Sequence, residues 1–247
     1  MKFLFASLCL IAASLPVFAA TIDVAVASNF SAPIHIIASQ FQKETGHVLR
    51  VSIGSTGSLY AQIKNGAPFD IFLAADTQTP AKIGEEGLGI ASSQFTYARG
   101  RLVLWSAQTH VVDSQGDVLK KMAFNKIVMA NPQLAPYGLA AQEVLQQLGL
   151  QESLKTKIVM GDNISQAYQF IATQNASLGF VALSQVMEQG LIQKGSVWLI
   201  PTQLHTPLKQ DAILLRKAEK NTTAISFLQY LKKSSTQQLI RSYGYDL

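Results

Sequence analysis

An α/β fold in two lobes is predicted by three observations. Short β-rich apolar runs alternate with amphipathic helical stretches along the chain, the pattern of parallel strands covered by helices. One such unit is followed by a second, and the chain then returns with a strand, Asp211 to Leu215, and a helix, Ala224 to Lys232, that both need a partner sheet. Finally, 247 residues at 48% hydrophobic composition, with Cys9 as the single cysteine, must be held by an apolar core and not by disulfides.

In chain order, Ile22 to Ala27 reads as the first strand. Ser31-Ala32-Pro33 then opens a helix with a capping residue and an N-terminal proline; Ile34, Ile37, Ala38 and Phe41 form its apolar face, and Gly46 stops it. Val48 to Ile53 is the second strand, Leu59 to Asn65 a helix, and Phe69 to Ala74 the third strand. Leu102 to Trp105 is a further buried strand. Beyond Gly116 the pattern repeats, with strands at Ile127 to Ala130, Lys157 to Met160 and Leu178 to Val181, and helices at Tyr137 to Leu148 and Ser165 to Thr173. The two lobes are expected to be joined by crossings near Tyr97 to Leu102 and Thr206 to Asp211. The first lobe then takes residues 20–101 and 209–247, and the second 102–208.

Residues 1–19 read as a secretory leader: Lys2 as the charged start, an apolar run from Phe3 through Val17, and small residues at Ala19 and Ala20 for cleavage. Cys9 lies inside it, which leaves the exported chain without a thiolate metal site or a cysteine nucleophile. No later segment is long and apolar enough to span a bilayer. The net charge of +5, one unit less once Lys2 leaves, is dispersed, with Lys120-Lys121 and Lys232-Lys233 the densest pairs. Without basic runs and interleaved aromatics there is no nucleic-acid signature.

Open α/β sheets bind ligands at the carboxyl ends of their strands. Four loops in those positions share one character: Ser28-Asn29-Phe30-Ser31, Gly54-Ser55-Thr56-Gly57-Ser58, Asn131-Pro132 through Pro136-Tyr137-Gly138, and Gly161-Asp162-Asn163-Ile164-Ser165. Each leads into a helix and is rich in small or neutral polar donors. Taken singly, each is a tight turn with an N-cap, the role expected for Ser31 and Ser165. Two such loops from each lobe, facing one cleft, form a pocket for an anion, because unpaired amide donors and helix dipoles point at it without a counter-charge.

The combination Ala27-Ser28-Asn29-Phe30, Gly54 through Ile63, Asn65-Gly66-Ala67-Pro68, Leu73-Ala74-Ala75-Asp76 and Phe95-Thr96-Tyr97-Ala98 resembles the molybdate-binding periplasmic proteins of ABC transporters. Asn131-Pro132, Ala135 through Gly138, Leu178 through Leu183 and Tyr243-Gly244-Tyr245 extend the resemblance over the exported chain. It implies a type II periplasmic-binding fold: two mixed, mostly parallel sheets with helices on both faces and a ligand cleft between the lobes. It also implies a monomeric receptor in the periplasm that hands molybdate, or tungstate, to a membrane permease driven by a separate ATPase, without a cofactor and without catalysis. Molybdenum is then bound only as its oxyanion. The family's ligand positions fall on Ser28, Asn29, Thr56, Tyr137 and Ile164, the last two as backbone donors. Where many members carry a tyrosine whose phenol reaches the anion, this chain has Ala182, so Tyr137 or Asn29 must supply that donor or the site makes one bond fewer.

Rival chemistries lack their residues. His35, His47, His110 and His205 are too scattered to share a metal. Asp70 and Asp76 flank a strand, and Asp76 is placed to cap the helix opening at Thr79-Pro80. The glycine loop lacks the Gly-Lys-Ser/Thr ending of a nucleotide-binding loop, and there is no Gly-x-Ser-x-Gly elbow. Trp105 and Trp198 read as core. A sulfate receptor remains the alternative within the class. A periplasmic enzyme acting on a phosphorylated or sulfated metabolite would have only Asp162 and Tyr137 to work with, and an iron receptor would need clustered tyrosines, of which Tyr243 and Tyr245 are a terminal pair. Asp162 is also the one acceptor a phosphate site could use, although its place before Asn163 and Ser165 suits helix capping.

Overall fold

The computed structural model describes residues 19–247. The leader, with Cys9, lies outside the described residues up to its last position, Ala19. Among the described residues no helix is long and apolar enough to cross a membrane.

The elements run β1 (Thr21–Ala27), α1 (Ser31–Thr45), β2 (Val48–Gly54), α2 (Thr56–Lys64), β3 (Ile71–Leu73), α3 (Gln78–Glu85), β4 (Phe95–Gly100), β5 (Leu102–Ser106), α4 (Val118–Lys121), β6 (Ile127–Ala130), α5 (Pro136–Gln147), α6 (Gln151–Leu154), β7 (Ile158–Gly161), α7 (Ile164–Ala172), β8 (Leu178–Ala182), β9 (Met187–Glu188), β10 (Leu191–Ile192), β11 (Ser196–Leu199), β12 (Leu208–Leu214), α8 (Thr222–Tyr230) and α9 (Ser234–Ser242). They form two five-stranded sheets, ordered β2-β1-β3-β12-β4 and β11-β5-β8-β6-β7, and a small β9-β10 hairpin. Within each large sheet the strands joined through helices pair in parallel, β1 with β2 and β3, and β6 with β7 and β8. Antiparallel pairing enters where the chain changes sheets: β12 against β3 and β4, and β5 against β8 and β11. The chain passes from the first sheet to the second at Arg101, between β4 and β5, and returns over 200–207, between β11 and β12.

Packing follows the period of each segment. The strand residues Val24 and Val26 face α1, α8 and α9 through Ile34, Ile37, Phe41, Phe227 and Ile240, all with essentially no solvent exposure. Ala25 and Phe72 point to the opposite face, under Leu59 of α2 and Ile83 of α3. The second sheet is enclosed by α5 and α7 around Val128, Phe180 and Val144. Full burial of each such side chain contributes about 1.5–3 kcal/mol. Gly46 ends α1 in the left-handed conformation at φ 75°, its N–H donating to Gln42 O at 2.9 Å.

Helix starts differ from the expectation at two serines. Phe30 stands at the N-cap of α1, so Ser31 is its first residue and no side chain caps it. Asn163 caps α7 by accepting from the Gln166 N–H, which releases both Asp162 and Ser165 from capping.

Candidate anion-binding site

The register sets the site. Ala27 pairs with Gly54 at the ends of β1 and β2, and Ala130 with Gly161 at the ends of β6 and β7. The four loops that leave these ends therefore face one another across the gap between the sheets. They border a small cavity, about 10 Å³ as measured with a water-sized sphere, lined by Ala27, Ser28, Asn29, Ser55, Thr56, Ala75, Ala135, Pro136, Tyr137 and Ile164. All five residues expected to bind the anion, Ser28, Asn29, Thr56, Tyr137 and Ile164, lie on this wall, each at most 3% exposed. A larger opening adjoins it at the cleft mouth and carries Asp76, Glu143 and Lys209. The inner cavity has no charged side chain.

Three helices begin on that wall, α2 at Thr56, α5 at Pro136 and α7 at Ile164. Their first-turn N–H groups, those of Thr56, Tyr137 and Ile164, have no intrahelical partner, and each dipole places partial positive charge at the cavity. Hydroxyls add directed donors. Thr56 Oγ1 accepts from the Ala75 N–H at 3.0 Å, which leaves its own hydrogen to donate elsewhere. Ser28 Oγ finds no partner among the described residues. Ser55, by contrast, is spent on Ser58: its Oγ lies 2.7 Å from Ser58 Oγ and caps α2 at the Ser58 N–H.

The lobes are in contact around the cavity. Gly57 N–H donates to Leu134 O at 2.9 Å, and Ser165 Oγ donates to Ser28 O at 3.1 Å. Ser165, released from capping, thus fastens the first-lobe loop to the start of α7. Ser184 Oγ donates to Asn29 O at 2.8 Å.

The Asn29 amide is already committed. Its Nδ2 donates to Gln210 Oε1 at 2.8 Å and to Tyr245 Oη at 3.0 Å, behind the cavity wall. Tyr245 Oη in turn donates to Asn29 O at 2.7 Å. Tyr137 Oη accepts from Gln210 Nε2 at 3.1 Å and retains its own hydrogen. Burial, ahead of any neighbouring charge, pushes the Tyr97, Tyr137 and Tyr245 phenols well above their ordinary value, so all three are neutral donors at physiological pH. Ala182 is fully buried at the end of β8, off the cavity wall, with its N–H on Gln185 Oε1 at 3.0 Å. Gln210, Tyr245 and Ser184 were not anticipated as part of the site's support. The Tyr243-Gly244-Tyr245 motif was the one signal that could have marked the terminus as structural to it.

The remaining candidates fall elsewhere. Asp162 is exposed and off the cavity wall. Asp76 accepts from Thr79 N and Oγ1 at 2.8 and 2.9 Å, the capping role expected of it. Asp70 accepts from the Asp23 N–H. Among the described residues no group of three His, Cys, Asp or Glu side chains could hold a metal ion. Trp105 and Trp198 are buried in the second lobe, Trp105 stacked on Tyr168 at 5.1 Å.

The profile of the bacterial extracellular solute-binding protein family matches residues 22–246. The chain is 54% identical to the molybdate-binding protein ModA of Azotobacter vinelandii, over 93% of this chain and 91% of that one. It is 46% identical to ModA of Rhodobacter capsulatus, over 94% and 90%. The solved structure of an Azotobacter vinelandii periplasmic molybdate-binding protein superposes with a TM-score of 0.89 at 40% identity, covering 92% of this chain and 99% of that one. The chain belongs to the bacterial extracellular solute-binding protein family and, within it, to the molybdate-binding proteins.

Proposed function

We propose that this protein is the periplasmic receptor of a molybdate ABC importer: it closes two lobes on the dianion and presents it to a membrane permease powered by a separate ATPase. The observation that carries the reading is the convergence of three helix N-termini on one small cavity lined without a single charge. Such a cavity holds an oxyanion by oriented dipoles and offers no carboxylate or imidazole base, which suits binding and not catalysis. The donors are the hydroxyls of Ser28 and Thr56 and the main-chain N–H groups of Asn29, Thr56, Tyr137 and Ile164, while the Tyr137 phenol is turned back to Gln210. About six or seven charge-assisted bonds at roughly 1.5–3 kcal/mol each, less the cost of closure, reach about −8 to −11 kcal/mol, a sub-micromolar constant. Tungstate has the same charge and shape and enters the same ring of donors. The protein works as a monomer and needs no cofactor.

Relatives from Azotobacter vinelandii and Rhodobacter capsulatus that carry the name molybdate-binding protein support the choice of ligand. A ligand that touches both lobes stabilises the closed state, so molybdate should shrink the radius of gyration in solution scattering and raise the melting temperature with concentration. Unchanged radius and melting at saturating molybdate would end this reading.

A further inference from the structure

Behind the cavity lies a buried polar cluster centred on Gln210. It sits on β12, the strand by which the chain returns to the first sheet, and is fully shielded from solvent. Gln210 Oε1 accepts from Asn29 Nδ2 at 2.8 Å and from Tyr97 Oη at 3.1 Å, while Nε2 donates to Tyr137 Oη at 3.1 Å. The Asn29 donor on Oε1 sets the amide's orientation, oxygen towards the first lobe and nitrogen towards the second, while the single Tyr97 hydrogen is shared between Oε1 and Ala74 O at 3.0 Å. The three partners come from the loop after β1, the crossing strand β4 and the first turn of α5. Gly100, paired with Leu208 where the crossing strands meet, leaves the room for this arrangement. A Cβ at Gly100 would lie 1.9 Å from Tyr137 Oη and 2.5 Å from Gln210 Nε2.

We propose that Gln210 is a positioning residue for oxyanion capture: its Nε2 holds the Tyr137 phenol and the first turn of α5 in place at the closed crossing, so that hinge closure and completion of the anion site are one event. The inference rests on the receptor reading above. When the lobes part, α5 moves with the second sheet while Asn29 and Tyr97 stay with the first, so the contact that breaks is the one to Tyr137. The closed arrangement alone satisfies all three bonds of a side chain too buried to exchange them for water.

Two variants test it. Gln210→Met keeps length and removes both bonding groups. Gln210→Glu keeps acceptors towards Asn29 and Tyr97, replaces the Tyr137 donor with an oxygen, and, when ionised, opposes a dianion. The titratable groups facing this position are Tyr97, Tyr137 and Tyr245, with Asp76 and Asp211 acting on Tyr97. They are common to wild type and variant and cancel in the comparison.

Molybdate binding is titrated first on wild-type protein, and absence of binding there strikes the receptor reading itself. Given wild-type binding, Gln210→Met should weaken it by about tenfold or more, mainly through faster dissociation. For Gln210→Glu, affinity relative to wild type should fall by at least about another tenfold from pH 5 to pH 8, as the buried carboxyl, with its pKa raised by burial, ionises. A side chain that merely fills space would lower melting without creating that pH profile. Binding by Gln210→Met within about threefold of wild type, or a flat Gln210→Glu ratio across that range, overturns the inference. The Met variant decides the matter where the Glu variant fails to fold.

Discussion

Thr56 Oγ1 accepts the Ala75 backbone N–H at 3.0 Å, and the two residues line the same face of the cavity, both almost fully buried. The acceptance fixes the rotor, so the hydroxyl hydrogen serves the ligand. Thr56→Ala should weaken molybdate binding by about 1–3 kcal/mol and, by stranding the Ala75 N–H, lower the melting temperature by roughly 2–10 °C. Thr56→Ser should restore both. Calorimetry and thermal melting on the pair check it; unchanged affinity in the alanine variant would mean that the hydroxyl does not reach the anion.

Ser165 Oγ fastens the second lobe to Ser28 O without itself lining the cavity. Ser165→Ala should cost about 0.5–1.5 kcal/mol of closed-state stability, seen as a dissociation rate raised roughly 2- to 12-fold in stopped-flow displacement, with association little changed. An unaltered dissociation rate would show that this bond does not help hold the lobes together.

Two glycines separate backbone from packing. Gly100→Ala forces a methyl against Tyr137 Oη and Gln210 Nε2, overpacking that should cost about 1–3 kcal/mol and weaken anion affinity as Tyr137 is displaced. Gly46→Ala meets nothing within 4 Å but must hold φ at 75°, so it should lose about 1 kcal/mol of folding stability and leave affinity alone. Equal affinities for the two variants would contradict the placement of Tyr137.

Burial holds the Asp76 carboxyl above its ordinary 3.8, with the hydrogen bonds from Thr79 pulling the other way. The folded protein therefore binds this proton more tightly than the unfolded chain, and the Asp76 contribution to stability is lost as pH rises from 3.8 through the raised value. Asp76→Asn keeps an acceptor for the Thr79 N–H and removes that slope, which denaturant melts across the acidic range can measure. Anion affinity should stay within a few-fold of wild type, because the carboxylate lies at the cleft mouth and not on the donor wall.

The parts of the fold legible in the sequence are those whose own side chains carry the period. Thr21–Ala27, Val48–Gly54 and Ile127–Ala130 are mostly apolar runs that end at Ser28, Gly54 and Asn131, and they emerge as strands within one residue of expectation. α2 starts at Thr56, three residues before the first apolar position, because its first turn faces the cavity and needs donors instead. β12 likewise begins at Leu208 and not Asp211, since Lys209 is exposed and Gln210 is buried for its hydrogen bonds. The polar α9 escaped detection, with Ser, Thr and Gln at most positions and Ile240 as its main anchor.

The candidate site was legible at its wall for a related reason: its wall is built where a strand end passes into a helix start. Its support was not. Gln210 and Tyr245 lie 181 and 216 positions from the Asn29 amide they receive, and no local pattern in the chain encodes that meeting.

The donor-only character of the cavity is tested most directly by calorimetric competition of molybdate with phosphate and sulfate near neutral pH. The carbonyls of Ser28 and Asn29 are occupied by Ser165, Ser184 and Tyr245, and Asp162 stands off the wall, so the proton of hydrogen phosphate meets no carboxylate on a wall dominated by donors. Molybdate should bind sub-micromolar. Phosphate should be weaker by at least about 100-fold, roughly 2.8 kcal/mol, and unaffected by Asp162→Asn. Sulfate, with shorter bonds to oxygen, should leave several donors stretched and lose by a similar factor. Phosphate binding within about tenfold of molybdate, lost in Asp162→Asn, would contradict the all-donor site, and sulfate binding equal to molybdate would reassign the ligand.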